Sequence, residues 1–289
     1  MKSIISQMKY IEQLWIRKTF SSRSYSLLIL YFFINYLYCK PVSALSISLQ
    51  HKTTPWVFPF MLSTYQYTAL FLVGVIYYFS DVPFIQHHNM YQIIRTGRKK
   101  WALGQISVIV FQSFFLIIVN MVMTFILLFR NLEFSTAWGK LLHTVSLTNA
   151  GEITKFIFGV SNEAMSRFEP IELMILTLIM GGLVISFMGL LMFAISLFAN
   201  RVIAVATGAV MVLMIYFVEN AHPLLKAPLA RFVPASWIRV ANIDHTIYGS
   251  SILPSMEYML AVLIVGIVLL SIVVMFRIRY VELHWNKED

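Results

Sequence analysis

Six long apolar stretches, none containing an Asp, Glu, Lys, Arg or His, alternate with polar segments along this chain. They cover residues 25–39, 56–80, 102–129, 173–200, 202–218 and 258–276. Most are long enough to cross a hydrocarbon core of about 30 Å. Because a segment in lipid must satisfy its own backbone N–H and C=O groups, and because these stretches show no polar alternation, we expect helices rather than barrel strands. The sequence predicts an all-α fold, that of a polytopic membrane protein with six transmembrane helices.

The composition excludes other classes of protein. With 59% hydrophobic residues, 12% charged residues and a mean hydropathy of +0.76, the chain is neither an ordinary soluble domain nor a disordered one. The stretches take 132 of the 289 residues, so residues 1–289 are expected to form a single transmembrane domain. The single cysteine, Cys39, excludes an intrachain disulfide and a cysteine-rich metal site.

The basic residues flank the apolar stretches. If the N-terminus is cytoplasmic, the 59 inner residues hold 13 Lys and Arg, against 9 in the 98 outer residues. The positive-inside rule therefore predicts a multi-pass protein with cytoplasmic N- and C-termini. The same distribution argues against a nucleic-acid surface, since the bases form no single patch.

An amphipathic helix is predicted before the first stretch. Ile4, Met8, Ile11 and Trp15 recur at helical spacing, and polar residues occupy most of the remaining circumference. We expect this helix to lie on the cytoplasmic membrane surface. A plain basic anchor that only sets topology predicts the same composition, so both interpretations stay open. A cleaved signal sequence is disfavoured because five further stretches follow.

The 21-residue connector after the second stretch, residues 81–101, is longer than a simple link requires. Asp81 can cap a helix, Pro83 suits its first turn, and Thr96-Gly97 can end it. This predicts a short cytoplasmic helix with a partner-binding surface made of Phe84, Ile85, His87, His88, Met90, Tyr91 and Ile94. The basic residues that follow, and that we expect to hold it at the membrane surface, are Arg95, Arg98, Lys99 and Lys100.

Motifs for chemistry are absent from the sequence. It contains no P-loop, no H-E-x-x-H and no G-x-S-x-G, so we expect no catalytic residues, no cofactor and no metal site in this chain. No ionisable group lies inside a stretch, which disfavours proton coupling. The amides that can line a pathway or join helices by hydrogen bonds, the second role being favoured, are Gln66, Gln105, Gln112 and Asn120. Energy for any transport is therefore expected to arrive through the cytoplasmic connector.

With these features the chain resembles the permease subunits of type 2 ATP-binding-cassette (ABC) exporters, in particular the bacterial six-span family. Residues 91–105 are similar to an R-x-G-R-K-K-W-x-x-G-Q run in some such permeases, and residues 232–237, Phe-Val-Pro-Ala-Ser-Trp, are similar to the outer re-entrant element of the family. The resemblance covers essentially the whole chain. It implies an N-terminal elbow helix at residues 4–20, a cytoplasmic coupling helix at residues 84–94, and outer re-entrant helices before the last span.

The resemblance also implies a function and partners. The chain would be the permease subunit of an exporter in the bacterial plasma membrane, with ABC ATPase subunits docked on the coupling helix and a second, identical or paralogous permease subunit beside it. It would move an amphiphilic or peptide-like substrate outward. Two alternatives stay open: a membrane scaffold that docks a cytoplasmic partner without transport, and an intramembrane enzyme that uses His51, His143 or His222.

Overall fold

The computed structural model describes residues 2–80, 93–148, 155–243, 246–247 and 250–280. The chain is predominantly helical, which confirms the predicted all-α class. The helices are α1 (Lys2–Thr19), α2 (Ser22–Ser48), α3 (Phe58–Ser63), α4 (Tyr65–Phe79), α5 (Arg98–Leu128), α6 (Lys140–Leu147), α7 (Asn162–Arg167), α8 (Pro170–Phe198), α9 (Arg201–Asn220), α10 (Pro223–Ala230) and α11 (Met256–Arg277). Short 3₁₀ turns occupy Pro55–Val57, Phe129–Asn131, Pro234–Ile238 and Val240–Asn242, and two-residue strands, β1 (Thr246–Ile247) and β2 (Ser250–Ser251), pair antiparallel.

Five helices, α2, α5, α8, α9 and α11, are long and apolar enough to cross a membrane. The predicted span at residues 56–80 is not one straight helix, because α3 and α4 are bent by 89° at a break between them. The 15 residues of α4 extend about 22 Å at roughly 1.5 Å per residue, less than the usual hydrocarbon thickness. By length and composition the described residues thus hold five spans, or six if the bent pair counts as one.

The break lies between Ser63 and Thr64 and is stabilised by distant side chains. Thr64 is extended, with φ −79° and ψ 125°. The Ser63 carbonyl accepts hydrogen bonds from Arg239 Nε at 2.7 Å and from Asn242 Nδ2 at 3.1 Å. Because both donors come from another part of the chain, the local sequence at residues 56–80 contains no signal for the bend.

The first span is longer than predicted. The apolar stretch 25–39 stops before Lys40 and Pro41, whereas α2 continues to Ser48 with Pro41 inside it. The side chain of Lys40 is exposed and does not enter the bundle. A proline inside a membrane helix is tolerated when neighbouring groups satisfy the freed backbone, so it is a poor boundary signal there.

Helix α8 is the centre of the bundle and contacts α5, α9, α11 and α4. Its most apolar window is 67% buried, against 17% for α11, which lies on the outside. Two glycines allow α8 to approach its neighbours closely. A Cβ at Gly182 would clash with Phe114 on α5, and one at Gly189 would stand 2.8 Å from Ile109 on the same helix.

The bundle has two distinct ends. At the first, which we call the basic end, α2 begins, α4 ends, α5 begins, and α8 and α11 end. Arg23 Nη1 donates to Ser80 Oγ at 2.7 Å there, and Arg277 Nε donates to the Leu197 carbonyl at 3.2 Å.

Loops close the opposite end. Thr54 Oγ1 donates to the Trp138 carbonyl at 2.7 Å, and Trp56 Nε1 donates to the Ser135 carbonyl at 2.8 Å. These bonds join the loop after α2 to the loop after α5, although the two loops lie about 80 residues apart in sequence.

The Pro-broken segment before α11 also covers the opposite end. It consists of α10 and two 3₁₀ turns that pack against α8, α9 and α11. Trp237 is completely buried, and its indole N–H donates to the Ala230 carbonyl at 2.6 Å. Leu224 and Phe232 are 74% and 82% exposed. One side of this segment therefore packs into the protein, and the other presents large apolar side chains outward.

Candidate functional site

Most of the predicted partner-binding surface lies outside the described residues. This applies to Phe84, Ile85, His87, His88, Met90 and Tyr91. The structure describes the end of the connector, where residues 93–96 are helical. Ile94 is 65% exposed and available to a partner, whereas Ile93 is buried in the core.

Helix α1 runs alongside the first half of α5. Gln7 Nε2 donates to the Lys100 carbonyl at 2.9 Å, and Gln112 Nε2 donates to Thr19 Oγ1 at 2.8 Å and to the Trp15 carbonyl at 3.2 Å. From the first of these contacts to the second, both helices advance by 12 residues, 7 to 19 and 100 to 112. The two helices therefore lie parallel over about 18 Å.

Close packing supports these hydrogen bonds. A Cβ at Gly104 would stand 2.7 Å from the Tyr10 ring and 3.3 Å from Leu14, so the absence of a side chain on α5 admits α1. Trp15 meets Phe115 edge to face, with 5.7 Å between ring centroids. Burial raises the pKa of the Tyr10 hydroxyl, which stays neutral at physiological pH.

The junction between α1 and α2 contacts the last turn of α4. Lys18 is 7% exposed; its Nζ donates to the Tyr78 carbonyl at 2.9 Å and lies 4.6 Å from the centroid of the Tyr78 ring. Arg23, in the first turn of α2, donates to Ser80. We call α1 together with these contacts the N-terminal clamp. It contacts the residues immediately before the connector at Tyr78 and Ser80, the end of the connector at Lys100, and the residues after it at Gly104.

The packed face of α1 matches the predicted apolar stripe only in part. Ile11 and Trp15 of the stripe are partly buried, whereas Met8 is 65% exposed and Lys18 is buried against α4. Gln7, Tyr10 and Leu14 are also partly buried. The helix therefore contacts α5 through polar and aromatic side chains as well as aliphatic ones.

The predicted basic residues lie at the start of α5 and its approach. Their side chains are exposed: Arg95, Arg98, Lys99 and Lys100. Arg98 Nη1 donates to the Arg279 carbonyl beyond the end of α11 at 2.7 Å. Thr96, Gly97, Lys99 and Arg279 help to line an open cavity of about 410 Å³ at this end.

A second polar cluster lies inside the bundle where α2, α4 and α5 meet. Asn35 Nδ2 donates to Asn120 Oδ1 at 2.7 Å, Asn120 Nδ2 donates to the Tyr67 hydroxyl at 2.9 Å, and that hydroxyl donates to Asn35 Oδ1 at 2.7 Å. These bonds form a closed ring. Thr124 Oγ1 adds a bond to Asn35 Oδ1 at 3.1 Å, and all four residues are buried.

The four predicted span amides occupy different environments. Gln66 is exposed, Gln105 is buried, Gln112 joins α5 to α1, and Asn120 belongs to the buried ring. Sequence reasoning missed Asn35 and Tyr67. Asn35 carried a usable signal, because it is an amide in the middle of an apolar stretch, whereas Tyr67 could not be distinguished from the many aromatic residues of the spans.

Within the described ranges, no three His, Cys, Asp or Glu side chains are grouped so that they could hold a metal ion. His51, His143 and His222 are exposed. Comparison of the chain with protein-family models, with curated proteins and with solved structures found no match.

Proposed function

We propose that this chain is the transmembrane permease subunit of an ABC exporter that moves an amphiphilic or peptide-like substrate out of a bacterial cell. ATP would be hydrolysed by a separate nucleotide-binding subunit docked on the connector. The observation that carries the proposal is the N-terminal clamp, which contacts the chain on both sides of the connector.

The contacts of the N-terminal clamp are suited to transmitting a movement of the connector to the membrane helices. On one side of the connector, Lys18 and Arg23 hold the end of α4; on the other, Gln7 and Tyr10 contact the start of α5. A partner that displaces the connector would therefore move α1, α4 and α5 together instead of bending a free loop. In the proposed mechanism, ATP-driven closure of the partner pair displaces these helices and shifts the pathway from inward to outward access.

The exposed apolar surface supports a membrane location. Large apolar side chains are exposed along α2, α9 and α11, for example Phe33, Leu213 and Leu269, each more than half exposed. Such surfaces suit lipid or a second permease subunit. In the proposed orientation the basic end is cytoplasmic, both termini are inside, and α10 with its neighbouring turns forms an outer re-entrant element.

The proposal is tested by changing the connector. Phe84→Glu combined with Tyr91→Glu is expected to release the ATPase subunit, because two carboxylates would enter an apolar interface. Insertion of the permease should not change. The readouts are co-purification of the ATPase and ATP hydrolysis in proteoliposomes with and without cargo.

Lys99→Glu is the matched control, since it changes an exposed charge outside the apolar docking surface. It is expected to retain most of the bound ATPase. Unchanged ATPase binding after both aromatic substitutions would contradict the docking site.

The scaffold alternative shares this docking surface. It predicts the same loss of partner binding but no cargo-stimulated ATP hydrolysis and no cargo movement in proteoliposomes. Transport by the unmodified complex therefore separates the two functions.

A further inference from the structure

The open cavity of about 410 Å³ at the basic end lies between the start of α5 and the residues that follow α11. The described residues that line it are Thr96, Gly97, Arg98, Lys99, Lys100 and Arg279. Four of these six are basic and none is acidic. The volume falls within the range of about 300–1,000 Å³ that is usual for small-molecule sites, so the cavity has room for the headgroup of a lipid.

The positive charge of this lining is not neutralised by carboxylates. All four basic side chains are exposed, and within the described ranges no ion pair joins any of them to an Asp or Glu. Arg98 Nη1 donates to the Arg279 carbonyl at 2.7 Å, a contact that joins the two walls and leaves both charges in place. The cavity therefore offers its charge to an anion from outside the chain.

Large apolar side chains lie next to the bases on both walls. On α5, Leu103 is 45% exposed and follows Lys99 by four residues, so the two share one face of the helix. Near the end of α11, Phe276 is 60% exposed, and its ring centroid lies 5.6 Å from the Arg279 guanidinium carbon. On each wall the base stands at the end of the bundle, and the apolar side chain lies further along the membrane helix.

An acidic amphiphile matches both parts of this surface. A soluble phosphate would reach the bases but leave Leu103 and Phe276 uncovered. A zwitterionic lipid would bring an ammonium group towards the same bases. An anionic phospholipid places its phosphate at the bases and its acyl chains against the apolar side chains, and basic sites at the ends of membrane helices select such lipids.

We propose that this cavity binds an anionic phospholipid, with the phosphate between the start of α5 and Arg279 and the acyl chains along Leu103 and Phe276. A bound headgroup would bridge α5 and α11 at the basic end. The inference goes beyond the proposed function, because it requires a membrane location but neither an ATPase nor a cargo.

The test uses the purified, delipidated full-length chain in detergent, and native mass spectrometry counts the lipids that bind. The probes are phosphatidylglycerol and phosphatidylcholine with identical oleoyl chains. Because each Lys or Arg near an anionic lipid contributes about fivefold in affinity, we expect the first phosphatidylglycerol to bind at least about fivefold more tightly than the first phosphatidylcholine. Glycerol 3-phosphate in about hundredfold excess should not displace the lipid, since it lacks acyl chains.

Matched variants locate the site. Lys99→Gln and Arg279→Gln are each expected to lower the preference for phosphatidylglycerol about two- to fivefold. Arg95→Gln is the control for Arg279→Gln, because Arg95 is an exposed arginine of the same end that does not line the cavity, and it should leave the preference unchanged. Melting temperatures without added lipid check that the variants, all at exposed positions, remain folded.

Three results would overturn the proposal. Equal binding of the two lipids would show that the bases do not select a headgroup. Equal effects of Arg95→Gln and Arg279→Gln would show diffuse surface charge instead of a defined site, and displacement by glycerol 3-phosphate would show a site for a soluble anion. None of these measurements includes an ATPase, so such a failure would leave the permease proposal standing, and loss of ATPase docking would leave this one standing.

Discussion

At the scale of single residues, a few polar side chains fix how the apolar helices meet. The ring formed by Asn35, Tyr67 and Asn120 satisfies its own hydrogen bonds, so it is compatible with a lipid environment and carries no charge. Apolar packing between membrane helices is weakly directional, because lipid is as apolar as leucine. A closed polar ring therefore selects one register for α2, α4 and α5.

Removing one hydroxyl from the ring should destabilise the protein measurably. Tyr67→Phe leaves Asn120 Nδ2 without its ring partner and removes one of the two donors to Asn35 Oδ1, which keeps the bond from Thr124 Oγ1. We expect the free energy of unfolding to fall by about 1–2 kcal/mol. Tyr77→Phe is the control, since this residue of the same helix is 41% exposed. Unfolding in mixed SDS micelles measures the free energy of unfolding of both variants. Equal stability of the two variants would show that the ring does not contribute to stability.

Arg239 is expected to contribute more to the stability of the fold than any residue of the ring. Arg239→Leu leaves Glu219 without its cation and the Ser63 carbonyl without one of its two donors. We expect a loss of about 3 kcal/mol, at the lower end for a broken buried pair because Glu219 is partly exposed.

Arg231→Leu, an exposed change in the same segment, should cost less than about 0.5 kcal/mol. Melting temperatures of the two purified variants test this difference. A shift of similar size in both would show that the buried ion pair is not needed for stability.

Only part of these residue roles could be predicted from the sequence. Asn120 and Gln112 were identifiable because an amide is rare inside an apolar stretch. Their partners were not: Gln112 bonds to a backbone carbonyl and a hydroxyl of α1, and Tyr67 looks like any other aromatic residue of a span. A sequence shows which groups need partners, but the fold decides which partners they find.

At the scale of helices, apolar length predicted where α5, α8, α9 and α11 lie, because their ends coincide with charged or capping residues. It failed at Ser63, where the chain turns by 89° inside an apolar stretch. The helix is interrupted there, and the Ser63 carbonyl accepts hydrogen bonds from Arg239 and Asn242 instead. Both residues lie more than 170 residues away in sequence. Local hydropathy cannot contain that information.

The contact between α1 and α5 can be tested as a unit. Gly104→Leu places a branched side chain at a position where even a Cβ would stand 2.7 Å from the Tyr10 ring, so we expect α1 to detach from α5. Cargo-stimulated ATP hydrolysis by the complex should then fall severalfold, while membrane insertion and ATPase binding persist.

Adding Tyr10→Ala to Gly104→Leu restores space and should recover part of the activity. In a Cys39→Ser background that also carries Gln7→Cys and Lys100→Cys, a short thiol crosslinker reports whether α1 still lies against α5. If Gly104→Leu keeps full cargo-stimulated ATP hydrolysis although the crosslink no longer forms, the contact between α1 and α5 is not needed for coupling.

At the scale of the whole molecule, the two ends of the bundle differ in charge and construction. The basic end carries the clamp and exposed bases such as Lys99, and the opposite end carries the packed loops and the Pro-broken segment. The difference in charge, which can be counted in the sequence, predicts a single orientation in the membrane.

Cysteine labelling tests that orientation. In the Cys39→Ser background, Glu133→Cys is expected to react with a membrane-impermeant maleimide added to intact cells, and Lys99→Cys only after lysis. Both positions are exposed, so accessibility within the protein does not limit the reaction. The reverse pattern would place the basic end outside and would contradict the proposed docking of a cytoplasmic ATPase.

If the chain is a permease as proposed, the close packing of α5 against α8 restricts where cargo can travel. At Gly182 and Gly189 there is no space for even one additional methyl group between these helices. A passage wide enough for an amphiphile could open there only if α8 separated from α5. Because α8 also contacts α4, α9 and α11, such a separation would disrupt most of the bundle. Any conduit should instead run along the periphery of the subunit, so that a solitary copy in the bilayer would offer a groove rather than an enclosed route.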